Sequence, residues 1–269
     1  MKLLVAVLTM LLKTSSIAVE IEMPGADCAC SFVDIGLNNG DTLFQWPHTV
    51  LEEAHKNGLS NASAFGEVSA KLKHCLDPSM RRKSCFYGFE LSPELTPILR
   101  KLDKSIKAGK FGNGVQARIF TETAIGLRNE DVTVYAAPMS THSSMEATKL
   151  TTKRSTRGKA STSDVGVAIA QSKFYRHYTS KSLNFVEVVN RLRASTQDFL
   201  AVKMDIEGTE YSLIPNALLH HARSMCSMDL FAIEWHGHMM PTSIPPNAHS
   251  TMEWMLKSPS CNITVVRWW

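Results

Sequence analysis

The sequence predicts an α/β domain with a Rossmann-like, mostly parallel sheet flanked by helices, and three observations carry that expectation. Short apolar runs alternate with stretches of helical spacing along most of the chain. Several runs are continuously apolar rather than alternating, as in strands buried on both faces. The first of them ends in an acid and a glycine loop, "FVDIGLNNG" from Phe32 to Gly40. In open α/β sheets, ligands bind outside that end of a strand.

The elements follow in order. Phe32 to Ile35 reads as the first strand and "CFYGFEL", Cys85 to Leu91, as the second. A helix then begins near Ser92-Pro93 or Thr96-Pro97, with Leu95, Ile98, Leu99, Leu102 and Ile106 as its apolar stripe and Gly109 as its stop. Ala117 to Gly126 reads as a third strand, followed by a short added strand around Val132 and Val134. Ser140 to Ser182 is a long polar excursion. A helix over Phe185 to Leu192 comes next, and then strand-like runs at Phe199–Gly208, Asp229–His238 and Asn262–Trp269.

The 269 residues, 44% of them hydrophobic, suffice for one large core, and a net charge of +4 does not by itself indicate a nucleic-acid partner. No aromatic pattern for base stacking accompanies the basic residues, so no nucleic acid is expected. Lys149, Lys153, Arg154, Arg157 and Lys159 form a basic cluster in the polar excursion, either solvated or a lid for an acidic substrate. At the N-terminus, Lys2 precedes the apolar run Leu3 to Leu12, and Ser16 and Ala18 are spaced like a signal-peptidase site. That run is shorter than the roughly 20 residues a membrane span needs. Residues 1–18 therefore read as a signal peptide and 19–269 as a single domain, in the secretory lumen or secreted, with no stable membrane span. The alternatives, a hydrophobic N-terminal helix or a retained anchor, sit poorly with Lys13. Cys28, Cys30, Cys75, Cys85, Cys226 and Cys261, with sequons at Asn61 and Asn262, agree with secretion. The pairing of these cysteines stays open.

The glycine loop narrows the ligand. Gly36 and Gly40 would let the backbone approach it, with Asp41 or Thr42 starting the next helix. "GLNNG" lacks the middle glycine of a dinucleotide fingerprint and the Gly-Lys-Ser/Thr ending of a P-loop, so no phosphate is expected there. Asp34 would repel a phosphate and suits a cationic or amine-bearing ligand. Glu90, at the end of the second strand, can take both hydroxyls of a ribose, the alternative being a solvated surface acid. A nucleoside with a positive charge and an amino-acid tail fits both acids, and S-adenosylmethionine is such a ligand.

The chain resembles the FkbM-type family of S-adenosylmethionine-dependent methyltransferases. "FVDIGLNNGDTL" is similar to the family's glycine motif, with Leu37 in place of the usual alanine, and "FYGFELSPE" to its ribose-binding strand end, with Leu91 where proline is common. "AIGLRNEDVTVY" resembles the segment after the third strand, "VKMDIEGTEYSLI", Val202 to Ile214, is the most specific match, and "FAIEWHGH" corresponds to a strand ending in Glu and His. The resemblance implies a cofactor set of Asp34, Gly36, Asn38, Gly40, Glu90, Leu91, Ala124 and Asp205. Two stretches stand out as insertions, near 44–83 and 140–182, and the first leaves the substrate open.

Methyl transfer is an in-line displacement, and a base is needed where the acceptor is a weak nucleophile such as a sugar hydroxyl. The candidates are Asp205 with Glu207 and Glu234 with His236, which converge if their strands are neighbours, as the resemblance implies. His236, Glu234 and Asp205 form the expected catalytic set, with His236 as general base because it follows Glu234 by two residues. The second reading places Mg²⁺ on Asp205, Glu207 and Glu234. Against both, Glu207-Gly208 can simply start a helix over Thr209 to Ile214. The expected activity is O-methylation of a hydroxyl on a glycan or secreted small molecule, the oxygen preference coming from the family alone. The alternatives are a nicotinamide-dependent oxidoreductase and a non-catalytic secreted binding module of the same fold.

Overall fold

A computed structural model describes residues 28–56, 63–112, 115–136, 176–206, 208–237, 240, 244–261 and 263–268. The expected signal peptide, most of the polar excursion, both sequon asparagines and Glu207 lie outside these residues. The strands are β1 (Cys28–Ile35), β2 (Ser84–Glu90), β3 (Gln116–Thr121), β4 (Thr123–Gly126), β5 (Glu130–Ala136), β6 (Arg176–Asn184), β7 (Thr196–Met204), β8 (Leu230–Ile233) and β9 (Thr264–Arg267). The helices are α1 (Trp46–Lys56), α2 (Ser63–Leu76), α3 (Thr96–Lys107), α4 (Phe185–Ser195), α5 (Glu210–Met225) and α6 (Ala248–Leu256).

Six strands form one parallel sheet in the order β3-β2-β1-β7-β8-β9, which is the doubly wound α/β arrangement. The order reverses between β1 and β7, so a crevice is expected beyond Ile35 and Met204. Alternation along β1 divides the core. Val33 and Ile35 pack with Phe185, Val188, Ile214 and Leu256 of α4, α5 and α6. Cys30 and Phe32 pack with Trp46, Leu72 and Leu99 of α1, α2 and α3. All eight residues of β1 are buried, as its apolar run implied.

The expected third strand is two. Glu122, at φ 55°, turns the chain between β3 and β4, and β4 joins a second sheet of order β4-β6-β5. In that sheet β4 runs parallel and β5 antiparallel to β6. β6 was hidden in the polar excursion because its inward residues include Ser180 and Ser182, both 3% exposed. The stretch read as an insertion near 44–83 holds α1, α2 and a 3₁₀ turn, Pro78–Lys83, capped by Asp77. α3 starts at Thr96 after a 3₁₀ turn and ends before Gly109, at φ 74°, whereas Ile98 from its expected stripe is 42% exposed.

Disulfides join Cys28 to Cys85, Cys30 to Cys75 and Cys226 to Cys261. Every one lies where strands begin: Cys28 and Cys30 in β1, Cys85 in β2, and Cys226 and Cys261 just ahead of β8 and β9. Among the described residues, no helix is long and apolar enough to cross a membrane.

Candidate functional site

At the finishing edge of the sheet, the protein's own groups hold most of the backbone N–H groups of the loop after β1. The backbone N–H groups of Gly36 and Leu37 donate to the Phe89 carbonyl at 3.1 and 3.0 Å, and that of Gly40 to the Leu37 carbonyl at 3.1 Å. Asn38 N–H donates to Glu90 Oε2 at 2.7 Å and Asp41 N–H to Asn39 Oδ1 at 3.1 Å. Gly36, Asn38 and Gly40 all have positive φ, at 83°, 56° and 92°. A Cβ on Gly36 would collide with the Asp205 carbonyl, and one on Gly40 with the Leu102 side chain. Packing within the chain therefore fixes both glycines. The helix expected from Asp41 or Thr42 begins only at Trp46, because turns occupy the intervening residues.

Asp34 is fully buried, and its two oxygens are engaged. Lys203 Nζ donates to Oδ1 at 3.0 Å and Thr42 Oγ1 to Oδ2 at 2.6 Å. Asp34 and Lys203 are direct register partners across β1 and β7, so the pair follows from the sheet itself. Lys203 also reaches Asp205 Oδ2 at 3.5 Å and lies 5.5 Å from the Trp268 ring centre. Burial opposes the Lys203 charge, but Asp34 and Asp205 outweigh it and hold the ammonium above its ordinary value. Burial pushes Asp34 up, with Lys203 and Thr42 pulling the other way.

Glu90 is 6% exposed, which removes the surface-acid reading. Its Oε1 accepts the Ser92 N–H and its Oε2 the Asn38 N–H, each at 2.7 Å, so it joins the loops that follow β1 and β2. Burial raises its pKa to about 7 despite these donors. Leu91 follows it, with its carbonyl accepting Ser180 Oγ at 3.4 Å. Ala124 is buried in β4, opposite Ser182.

β7 and β8 are neighbours, and the groups at their ends do converge. His236 Nε2 lies 3.7 Å from Asp205 Oδ1 and 3.6 Å from Glu234 Oε1. Asp205 and Glu234 are partly exposed, while His236 is buried. Burial and then the Asp205 charge push Glu234 above the ordinary carboxylate value, with His236 and Lys203 opposing. The residue that sequence reasoning missed is Glu210, fully buried at the start of α5. Its Oε1 accepts both the backbone N–H of His236 and its ring Nδ1–H at 2.9 Å, and its Oε2 accepts the Gly208 N–H at 2.9 Å. A carboxylate facing three N–H donors assigns the proton on His236 to Nδ1 and turns Nε2 towards Asp205 and Glu234. Lys203 was missed as well. Its signal was a lysine inside the apolar run "FLAVKM", which requires a buried partner.

No family model, curated protein or solved structure matches the chain.

Proposed function

We propose that the protein is an S-adenosylmethionine-dependent methyltransferase acting on a hydroxyl oxygen of a glycan or secreted small molecule. The observation that carries the reading is the glycine loop. The N–H groups of Gly36, Leu37, Asn38, Gly40 and Asp41 already have acceptors inside the protein, so the loop offers a pyrophosphate little of the backbone cradle that dinucleotide sites use. Around it stand the carboxylates of Glu90, Asp205 and Glu234, which favour a ligand bearing positive charge. The residues present fit the proposed cofactor on both counts: an acid at the end of β2 for ribose, and an anionic wall for sulfonium and ammonium. The motif resemblance to FkbM-type enzymes points the same way.

S-adenosylmethionine would supply an electrophilic methyl group for the acceptor oxygen. Asp205 and Glu234, half-open at the strand ends, would hold the acceptor hydroxyl and accept its proton. Three disulfides suit an oxidising compartment, which supports the secretory placement.

Calorimetry against S-adenosylhomocysteine and against NAD tests the reading, with radiolabelled methyl transfer to a glycan pool as the activity assay. Binding of S-adenosylhomocysteine without NAD is expected. Binding of NAD alone would replace the methyltransferase by an oxidoreductase, and cofactor binding without turnover on any hydroxyl acceptor would favour the binding module.

A further inference from the structure

The ligand atoms of Asp205, Glu234 and His236 all lie within 4.8 Å of one another. The separations from His236 Nε2, 3.7 Å to Asp205 and 3.6 Å to Glu234, exceed a hydrogen bond. They are longer than the edge of an octahedron built on bonds of roughly 2.1 Å, about 3.0 Å, so the three groups need draw in by only about half an ångström to share one ion. The imidazole is also aimed independently of those two acids. Glu210 takes its Nδ1–H at 2.9 Å and ties down its backbone, which is how a carboxylate outside the coordination shell fixes the tautomer of a metal-binding histidine. Lys203 sits on Asp205 Oδ2 and is itself held by Asp34, so Asp205 Oδ1 is the oxygen that faces the histidine. Asp205 and Glu234 keep 25% and 31% of their side chains exposed, leaving one side open, as in sites that also bind a substrate oxygen.

We propose that Asp205, Glu234 and His236 bind a divalent cation of the manganese class, with Glu210 as the residue that positions His236. One nitrogen and two carboxylate oxygens suit Mn²⁺ better than Mg²⁺, which prefers oxygen alone. The cation takes over from Asp205 and Glu234 as the group that activates the acceptor hydroxyl, since their coordinated oxygens no longer serve as the base. Its use in transfer to a hydroxyl rests on the methyltransferase reading, but its binding does not.

The test is titration of Mn²⁺ into the purified protein without cofactor, following the electron paramagnetic resonance of the free ion. One equivalent is expected to disappear from the free signal. Asp205→Asn and Glu234→Gln, both at the open edge, should each weaken binding at least about tenfold, and Glu210→Gln by about 10- to 100-fold, with the near-ultraviolet dichroism of each retained. A free signal unaffected by protein, or binding undiminished in both Asp205→Asn and Glu234→Gln, overturns the site. Calorimetry with S-adenosylhomocysteine, with and without Mn²⁺, keeps the two readings apart. Mn²⁺ binding without S-adenosylhomocysteine binding preserves the cation site and sinks the methyltransferase, and the reverse result does the opposite.

Discussion

Glu210 Oε1 accepts two N–H groups of the same residue, the backbone and ring donors of His236, at 2.9 Å each. The first residue of α5 is thereby fixed to the chain leaving β8, and the wall of the candidate site becomes one unit. Glu210→Gln must turn an amide donor towards His236 or towards Gly208. We expect a loss of about 1–3 kcal/mol in urea denaturation, the cost of facing a buried donor with another donor. A midpoint equal to the parent's would show that the pair does not hold the wall.

Glu90 makes stability depend on pH in a defined direction. Its folded pKa of about 7 lies above the ordinary 4.5, so between those values the folded state binds the extra proton. Stability should therefore fall as pH rises from about 4.5 to about 7 and level off above, a change of at most roughly 3 kcal/mol. Urea midpoints measured at intervals across that range check this, and the Glu90→Gln protein should lack the slope. Glu90→Ala should weaken S-adenosylhomocysteine binding by about 1.5–3 kcal/mol. It should also destabilise the fold, because the N–H groups of Asn38 and Ser92 lose their acceptor.

The Asp34–Lys203 pair is buried on both sides, at 0% and 1% side-chain exposure. Lys203→Met should cost about 3–5 kcal/mol by leaving Asp34 uncompensated, whereas Asp34→Leu combined with Lys203→Met should recover much of that loss. Chemical denaturation of the two proteins side by side measures the coupling. Equal destabilisation in single and double variants would remove the charge explanation.

Each disulfide closes a long loop, with separations of 57, 45 and 35 residues. Replacing Cys30 and Cys75 together by serine should lower stability by about 2–4 kcal/mol, chiefly through a freer unfolded chain. Thermal unfolding with and without reductant should show the parent approaching the variant as thiols form. A parent insensitive to full reduction would contradict this account.

Much of the site was legible because its parts are local to strand ends. The apolar run closing on Asp34, the acid closing β2, and the acids after β7 and β8 are each visible within a few residues, and only the adjacency of β7 and β8 had to be supplied. What escaped depends on distance along the chain. Glu210 acquires its meaning from His236, 26 residues away, and Asp34 from Lys203, 169 residues away. The glycines were visible but their cause was not, since the Asp205 carbonyl that forbids a Cβ at Gly36 belongs to another strand's exit. β6 escaped because buried serines replace the apolar half of the strand alternation, and the break at Glu122 because an acid with positive φ carries no sequence mark.

The placement of the cysteines has a chemical consequence. A thiolate is a strong nucleophile and a ready acceptor of an alkyl group, so a thiol beside an activated methyl invites self-alkylation. Here no cysteine is free, and all six are oxidised at the edge where the strands begin, with the full length of the sheet between them and the carboxylates. A reactive methyl held at the far edge would find only oxygen and nitrogen among its titratable neighbours Glu90, Asp205, Glu234 and His236. On the methyltransferase proposal, oxidation would thus staple the core and also leave the chain without a thiol that a methyl donor could alkylate.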